Sequence, residues 1–296
     1  MKCGIVDVGS NTVQLSVYQY EGTDFRTLFN QWETVGLAGY VRDGMLSTNG
    51  MEAACRTLAR FRTLLDNLEI RDMHVFATAS LRNISNSSQA LTFIMERTGI
   101  TVELLSGEEE AEYSFRGAML ESSSPAGLMV DIGGGSTELV AFENSAPVSD
   151  VSLPFGVVSL FTKYSEGLFP TADEQAEMSA QAAALLGEAK ETPQPCLLGV
   201  GGTIRAVVGL CNALTGAGAD NLIVTAGQVQ ELYTVLSAAD KAALRLILKV
   251  APDRVHTVLP GLVIIREIIN RYGVQKLTMS ATGVREGYLV SRVMAQ

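Results

Sequence analysis

The chain has 296 residues, 47% of them apolar and 18% charged, with 28 glycines and 8 prolines; this balance excludes a disordered or fibrous protein and suits two α/β domains. Acidic residues outnumber basic ones in both halves, for a net charge of −10, which disfavours a protein that grips nucleic acid through a Lys/Arg surface. Two histidines and four scattered cysteines without a CxxC pair disfavour a His-clustered metallohydrolase, a Ser/His/Asp triad, a Cys zinc site and a disulfide framework, and fit a reducing, cytoplasmic setting.

The first expected element is an apolar strand ending in Asp7, turned by Gly9-Ser10-Asn11-Thr12 into a second strand with alternating Val13, Leu15 and Val17. Asp7 arrives before any long apolar run, so no secretory leader is expected, and no run of about 18 apolar residues marks a membrane span. Met51, Cys55, Leu58, Phe61, Leu65 and Leu68 recur at helical spacing after an Asn49-x-x-Glu52 cap signal. Next come a strand at Met73–Ala77, a helix at Ser85–Arg97 stopped by Gly99, a strand at Ile100–Leu105, and a helix whose capping box is Ser106-Gly107-Glu108-Glu109. The polar turn Glu121–Gly127 is the expected domain boundary.

The second half opens with an echo of the first. Val130-Asp131-Ile132, Gly133-Gly134-Gly135-Ser136-Thr137 and then Leu139 and Ala141 again read as strand, Gly/Ser turn, strand. One duplication of an Asp-bearing hairpin, with free backbone N–H groups at its tip, accounts for both copies. A helix is expected at Thr171–Lys190 with a Thr171-x-x-Glu174 cap, a strand at Cys196–Val200, and a helix at Thr203–Leu214. Helices at about 227–236, 238–249 and 258–272, a strand at 275–280 and a last helix from about 284 complete the chain.

The chemistry concentrates at these turns. Asp7 and Asp131 each close a buried strand, where a carboxylate needs a cation or several donors, so both are candidate Mg²⁺ holders. The glycine-dense turns Gly133–Thr137 and Gly199–Thr203 can aim amides at phosphate, the second with help from a helix N-terminus. Glu138 sits on a strand directly after the first of these turns, and Arg82 follows the 73–77 strand as a candidate phosphate clamp. Glu108, Glu109 and Glu110 could each do no more than offset the dipole of the helix they begin.

Together VDVGSNT, ATASLRN, LSGEEEA, DIGGGSTEL, SLPFGVVSL, GVGGTIRAV, VLPGLVII and GVREGYL resemble the exopolyphosphatase and guanosine pentaphosphate phosphohydrolase family over almost the whole chain. The resemblance implies the sugar kinase, Hsp70 and actin superfamily: an α/β protein of two ribonuclease H-like (actin-like ATPase) domains, 1–124 and 125–283, with an interdomain cleft holding the site and the 284–296 helix packing on the first domain. It implies Mg²⁺-assisted hydrolysis of a terminal phosphoanhydride. Matched by motif, Glu110 is the base that activates water, Asp131 and Glu138 the acidic pair for metal and catalysis, and Ser10, Asn11, Arg82, Gly133, Gly134, Gly135, Ser136, Gly201, Gly202 and Thr203 phosphate-binding positions. The chain resembles the short, two-domain form of the family. It departs from the family at Arg254-Val255-His256, where an Arg-Ala-Asp stretch is common, and at Ala281-Thr282, where an Asp-Tyr pair is common. Inorganic polyphosphate is the expected substrate, guanosine pentaphosphate the alternative, and a binding-only sensor of polyphosphate or guanosine tetraphosphate a third reading. No nucleic-acid or membrane partner is expected, and a homodimer is compatible with the sequence.

Overall fold

A computed structural model describes residues 1–187, 194 and 196–295. The chain divides into two compact units, Met1–Tyr113 with Val284–Gln296, and Ser114–Gly283.

The first unit is built on a five-stranded sheet. Strands β1 (Lys2–Val8), β2 (Thr12–Glu21) and β3 (Asp24–Thr34) form an antiparallel meander, β4 (Val41–Arg42) and β5 (Met45–Leu46) a small separate ladder, and helix α1 (Thr48–Asn67) leads back to β6 (Met73–Ala77). Short α2 (Ala79–Arg82), α3 (Ser87–Thr98) and β7 (Glu103–Leu104) follow, giving the order β3-β2-β1-β6-β7 with β6 and β7 parallel to β1. Side chains alternate across a strand, so β1 feeds two cores. Val6 and Val8 pack with Val13, Leu15, Val17 and the α1 residues Met51, Leu58, Phe61 and Leu65. Cys3 and Ile5 face the other way, with Tyr18, Phe76, Tyr288, Leu289 and Val293.

Helix α4 (Gly107–Met119) carries the chain across the division between units, which therefore falls ahead of the Glu121–Gly127 turn expected as the boundary. Its capping box forms as expected: Glu109 N–H donates to Ser106 Oγ at 3.1 Å, and Ser106 N–H to Glu109 Oε2 at 2.9 Å.

The second unit repeats the plan. Strands β8 (Ala126–Ile132), β9 (Thr137–Glu143) and β10 (Ala146–Leu153) form a meander, followed by α5 (Val157–Tyr164), α6 (Ala172–Leu186) and β11 (Cys196–Val200). Then come α7 (Gly201–Thr215), β12 (Ile223–Thr225), α8 (Ala226–Ser237), α9 (Lys241–Val250), α10 (Val258–Tyr272) and β13 (Lys276–Met279). The sheet order is β10-β9-β8-β11-β13-β12, with β11 and β13 parallel to β8. Both ends of the expected α6 capping box are present at Thr171 and Glu174; residues 188–190 of that expected helix lie outside the described residues, as does Gln296. After Gly283 the chain returns to the first unit as α11 (Val284–Tyr288), continued by a wider π turn through Val293.

Several elements differ from expectation. Helix α1 is capped by Ser47, which accepts from Gly50 N–H, and starts before the Asn49 signal. The strand expected over 100–105 pairs only at Glu103 and Leu104. The helix expected from 238 starts at Lys241, because the Asp240 side chain accepts from the N–H groups of Ala242 and Ala243 at 2.8 Å each and fixes the start there.

Candidate active site

In the first unit, Asp7 stands directly across the hairpin from Gln14. By alternation it lies on the face of Cys3 and Ile5, against which the C-terminal segment packs. From that segment the Arg285 guanidinium donates to Gln14 Oε1 and lies within the field of Asp7. Burial alone would weaken this guanidinium, but the charges of Glu286, Tyr18 and Asp7 outweigh it and hold its pKa above the ordinary arginine value. Tyr18 donates to the buried Glu286 carboxylate. Ser10 and Asn11 form the turn after Asp7: the Ser10 carbonyl accepts from Ala38 N–H, and the Asn11 carbonyl from Val35 and Gly36 N–H, at 2.8–3.0 Å.

The three glutamates that open α4 have different surroundings. Glu108 is exposed and Glu109 serves the capping box, whereas Glu110 is buried at 8% exposure. Arg82 meets it: Nη1 donates to Glu110 Oε2 at 2.7 Å and to the Leu105 carbonyl at 3.0 Å. The candidate clamp and the candidate base therefore form one ion pair.

In the second unit, Asp131 and Glu138 are directly opposed on β8 and β9. Asp131 Oδ2 accepts from Ser114 Oγ of α4, and Glu138, with no exposed surface, accepts from Ser152 Oγ of β10, both at 2.8 Å. Two carboxylates facing each other repel unless a proton or a cation is shared. The Gly133–Ser136 turn is closed by Gly133 N–H on the Ser136 carbonyl at 2.9 Å. Its own carbonyls, at Gly133 and Gly134, accept from Val157, Val158 and Ser159 N–H at the start of α5.

The Gly201–Thr203 turn begins α7, and the Thr203 hydroxyl donates to the Ile132 carbonyl at 2.9 Å, tying it to the end of β8. Gly201 has φ +87°, and a Cβ there would lie 2.8 Å from Asp131 Oδ1. A Cβ at Gly202 would collide with the Arg254 guanidinium. The Arg254 pKa is lowered, chiefly by burial and further by Arg205, with Asp253 opposing. Guanidiniums near a helix N-terminus and a glycine turn are groups that can receive an anion. His256 makes an edge-on ring contact with Phe161 of α5 at 5.4 Å between centroids.

Gln14, Ser114, Ser152, Arg205, Arg254 and Arg285 were not among the residues singled out from sequence. Gln14 had a signal: it follows Asp7 at the same spacing at which Glu138 follows Asp131. Arg254 stood out only as part of a departure from a motif, and Arg285 only as part of one.

Among the described residues, no group of three or more His, Cys, Asp or Glu side chains has the arrangement of a metal cage. Mg²⁺ does not require one, since it is commonly held by one or two carboxylates together with phosphate oxygens and water. The opposed Asp131 and Glu138, beside the space that a side chain at position 201 would fill, fit that donor set.

Two sheets of matching order, each begun by an Asp-bearing hairpin, define an actin-like ATPase-type α/β protein. A model of the Ppx/GppA phosphatase family matches residues 16–296, and the chain belongs to that family, hydrolases acting on phosphoanhydrides. The fold is shared with a Ppx/GppA family member from Aquifex aeolicus at 23% identity and TM-score 0.80, covering 100% of this chain and 98% of that one. It is shared too with an exopolyphosphatase from Cytophaga hutchinsonii at 22% identity and TM-score 0.88, with the same coverage. No helix among the described residues is long and apolar enough to cross a membrane.

Proposed function

We propose that the chain is an exopolyphosphatase that removes terminal phosphate from inorganic polyphosphate with the help of Mg²⁺. The observation that carries this reading is the Asp131 carboxylate set against the glycine turn at the start of α7. An acid there would repel a phosphate chain, so the pairing makes sense when a divalent cation lies between them.

Glu110, oriented by Arg82, takes a proton from water as the water oxygen attacks the terminal phosphorus. The P–O anhydride bond breaks, orthophosphate leaves, and the bridging oxygen stays with the shortened chain. The Gly133–Ser136 and Gly201–Thr203 amides, with Arg254 and Arg205, stabilise charge on the phosphoryl oxygens. Mg²⁺ held by Asp131 and Glu138 would neutralise phosphate charge. Such a reaction asks the protein mainly for positioning and electrostatics, which these residue types supply.

Guanosine pentaphosphate is the second reading, and the Phe161–His256 ring pair favours it. Phe161 lies on the helix that caps the Gly133–Gly134 carbonyls, and His256 lies two residues from Arg254, so an aromatic surface adjoins the elements of both turns. Phosphate release from short polyphosphate, long polyphosphate and guanosine pentaphosphate, side by side with Mg²⁺ and with excess chelator, tests both readings. A higher kcat/KM for guanosine pentaphosphate than for every polyphosphate makes the second reading the correct one. Tight binding without turnover points to a sensor, and full activity in excess chelator removes the metal.

A further inference from the structure

Polar side chains tie the C-terminal segment to the rest of the first unit. Near its start the partly buried Arg285 donates to Gln14, the residue paired with Asp7 across the hairpin, and feels the Asp7 charge. Its neighbour Glu286 accepts from Tyr18 of β2. Farther along, Tyr288 donates to Glu103 at 2.7 Å, while Arg292 bonds Glu103 and lies 3.8 Å from Glu109, the residue that caps α4 immediately before Glu110. One short segment thus reaches the strand end that carries Asp7 and the helix start that carries Glu110.

A guanidinium withdrawn from water is costly to desolvate, and an apolar side chain of similar volume would serve packing alone as well or better. Its fork is instead directed at Gln14, the residue opposite Asp7 at the mouth of the hairpin. From this we infer that Arg285 is a positioning residue: it holds Asp7 by charge and Gln14 by hydrogen bond, and so fixes the first hairpin turn, Gly9–Asn11, in the geometry that receives phosphate. The inference rests on the phosphatase reading above. Arg285 acts through Asp7 and the turn and need not touch the substrate.

The test uses the full chain with Arg285→Met, Arg285→Lys and Tyr18→Phe, each followed by thermal unfolding and by phosphate release from short polyphosphate and guanosine pentaphosphate. Arg285→Met is expected to lose about 10- to 100-fold in kcat, the usual cost of removing a supporting partner of a site carboxylate, with KM within about threefold. Arg285→Lys keeps a cation without the fork and should recover part of that loss at a similar melting temperature. Tyr18→Phe cuts the bond to Glu286 without emptying the core and should cost about threefold in kcat. A purely structural Arg285 would lower the melting temperature of both Arg285 variants while kcat per folded molecule stayed constant. Folded Arg285→Met with kcat within threefold of wild type overturns the inference. Should that variant not fold, Tyr18→Phe decides: a threefold loss in kcat supports the inference, and unchanged kcat overturns it. Wild type inert on both substrates removes the phosphatase reading and this inference with it, whereas active wild type with unaffected variants removes this inference alone.

Discussion

The two Asp-bearing hairpins share strand order and register, yet their acids are compensated differently. In the first unit Asp7 faces Gln14 beside the Arg285 guanidinium, and Glu110 is ion-paired to Arg82. In the second, Asp131 faces another acid, Glu138, and the donors described above are the Ser114 and Ser152 hydroxyls. The segment covering the equivalent sheet face supplies an arginine in one case and a serine in the other. A guanidinium in contact with an acid offsets its charge from within the chain, and two acids opposed across a ladder are the kind of donor pair a divalent cation takes. On the proposed reading, the first unit holds the base in place and the second the metal–phosphate complex.

The largest expected effect tests the first half of that contrast. Glu110→Gln keeps the shape and removes the proton acceptor, and should lower kcat by about 10²- to 10⁴-fold with substrate affinity largely kept. Glu108→Gln, at an exposed position that only offsets the helix dipole, should change kcat by less than about threefold. Steady-state phosphate release decides, with circular dichroism to confirm folding. Near-normal kcat in folded Glu110→Gln would move the base assignment to Glu138.

The second effect bears on the contrast itself. Asp131→Asn should raise the Mg²⁺ concentration for half-maximal rate by about tenfold or more, because one of two opposed ligands loses its charge. Asp7→Asn should leave that concentration within about threefold and act on kcat, since Arg285 already supplies the cation there. Mg²⁺ titrations of the two variants check this, and equal shifts in both would erase the distinction between the units.

The hairpins were legible in the sequence because an apolar strand, an acid and a glycine turn form a local pattern, and its repetition exposed the duplication. Helix α10 and strand β11 were legible for the same reason: long periodic or continuous apolar segments bounded by turns. Strand β3 was not, because it is an edge strand with mostly exposed side chains and no period-two apolar signal, and β10 has much the same character. Among site residues, Glu110 could be separated from Glu108 by motif but not by chemistry. Burial and Arg82 distinguish it, and both depend on contacts distant in sequence. Arg254 and Arg285 were hidden for that reason as well, since nothing local tells a buried guanidinium beside a glycine turn from a solvated one.

A smaller effect is expected at the α7 turn. Gly202→Ala places a methyl group against the Arg254 guanidinium, which must then move from the phosphate turn. KM for polyphosphate should rise about three- to tenfold with a lesser change in kcat, as expected when binding shared by ground and transition states is lost. Gly218→Ala, where no neighbouring atom lies within 4 Å of the added carbon, is the matched control. Equal kinetics in the two variants would separate Arg254 from substrate binding.

The smallest effect is on stability and again contrasts the two units. The His256 pKa is lowered from its ordinary value of 6.5 by burial and then by Arg254, with Asp253 opposing. The unfolded chain therefore binds a proton near pH 6.5 that the folded chain resists. Stability from this source is complete above that pH and is lost as pH falls below it, toward the folded-state value. Because carboxylates also titrate in acid, the informative quantity is the difference between wild type and His256→Asn. Between pH 7.5 and 5.5 the melting temperature of wild type should fall by about 1–2 °C more than that of the variant. Saturating pyrophosphate should narrow this difference, because an anion held at the α7 turn offsets the Arg254 charge that His256 feels. A difference insensitive to pyrophosphate would mean that the anion binds away from Arg254, and the second unit would lose its role as the phosphate-holding half.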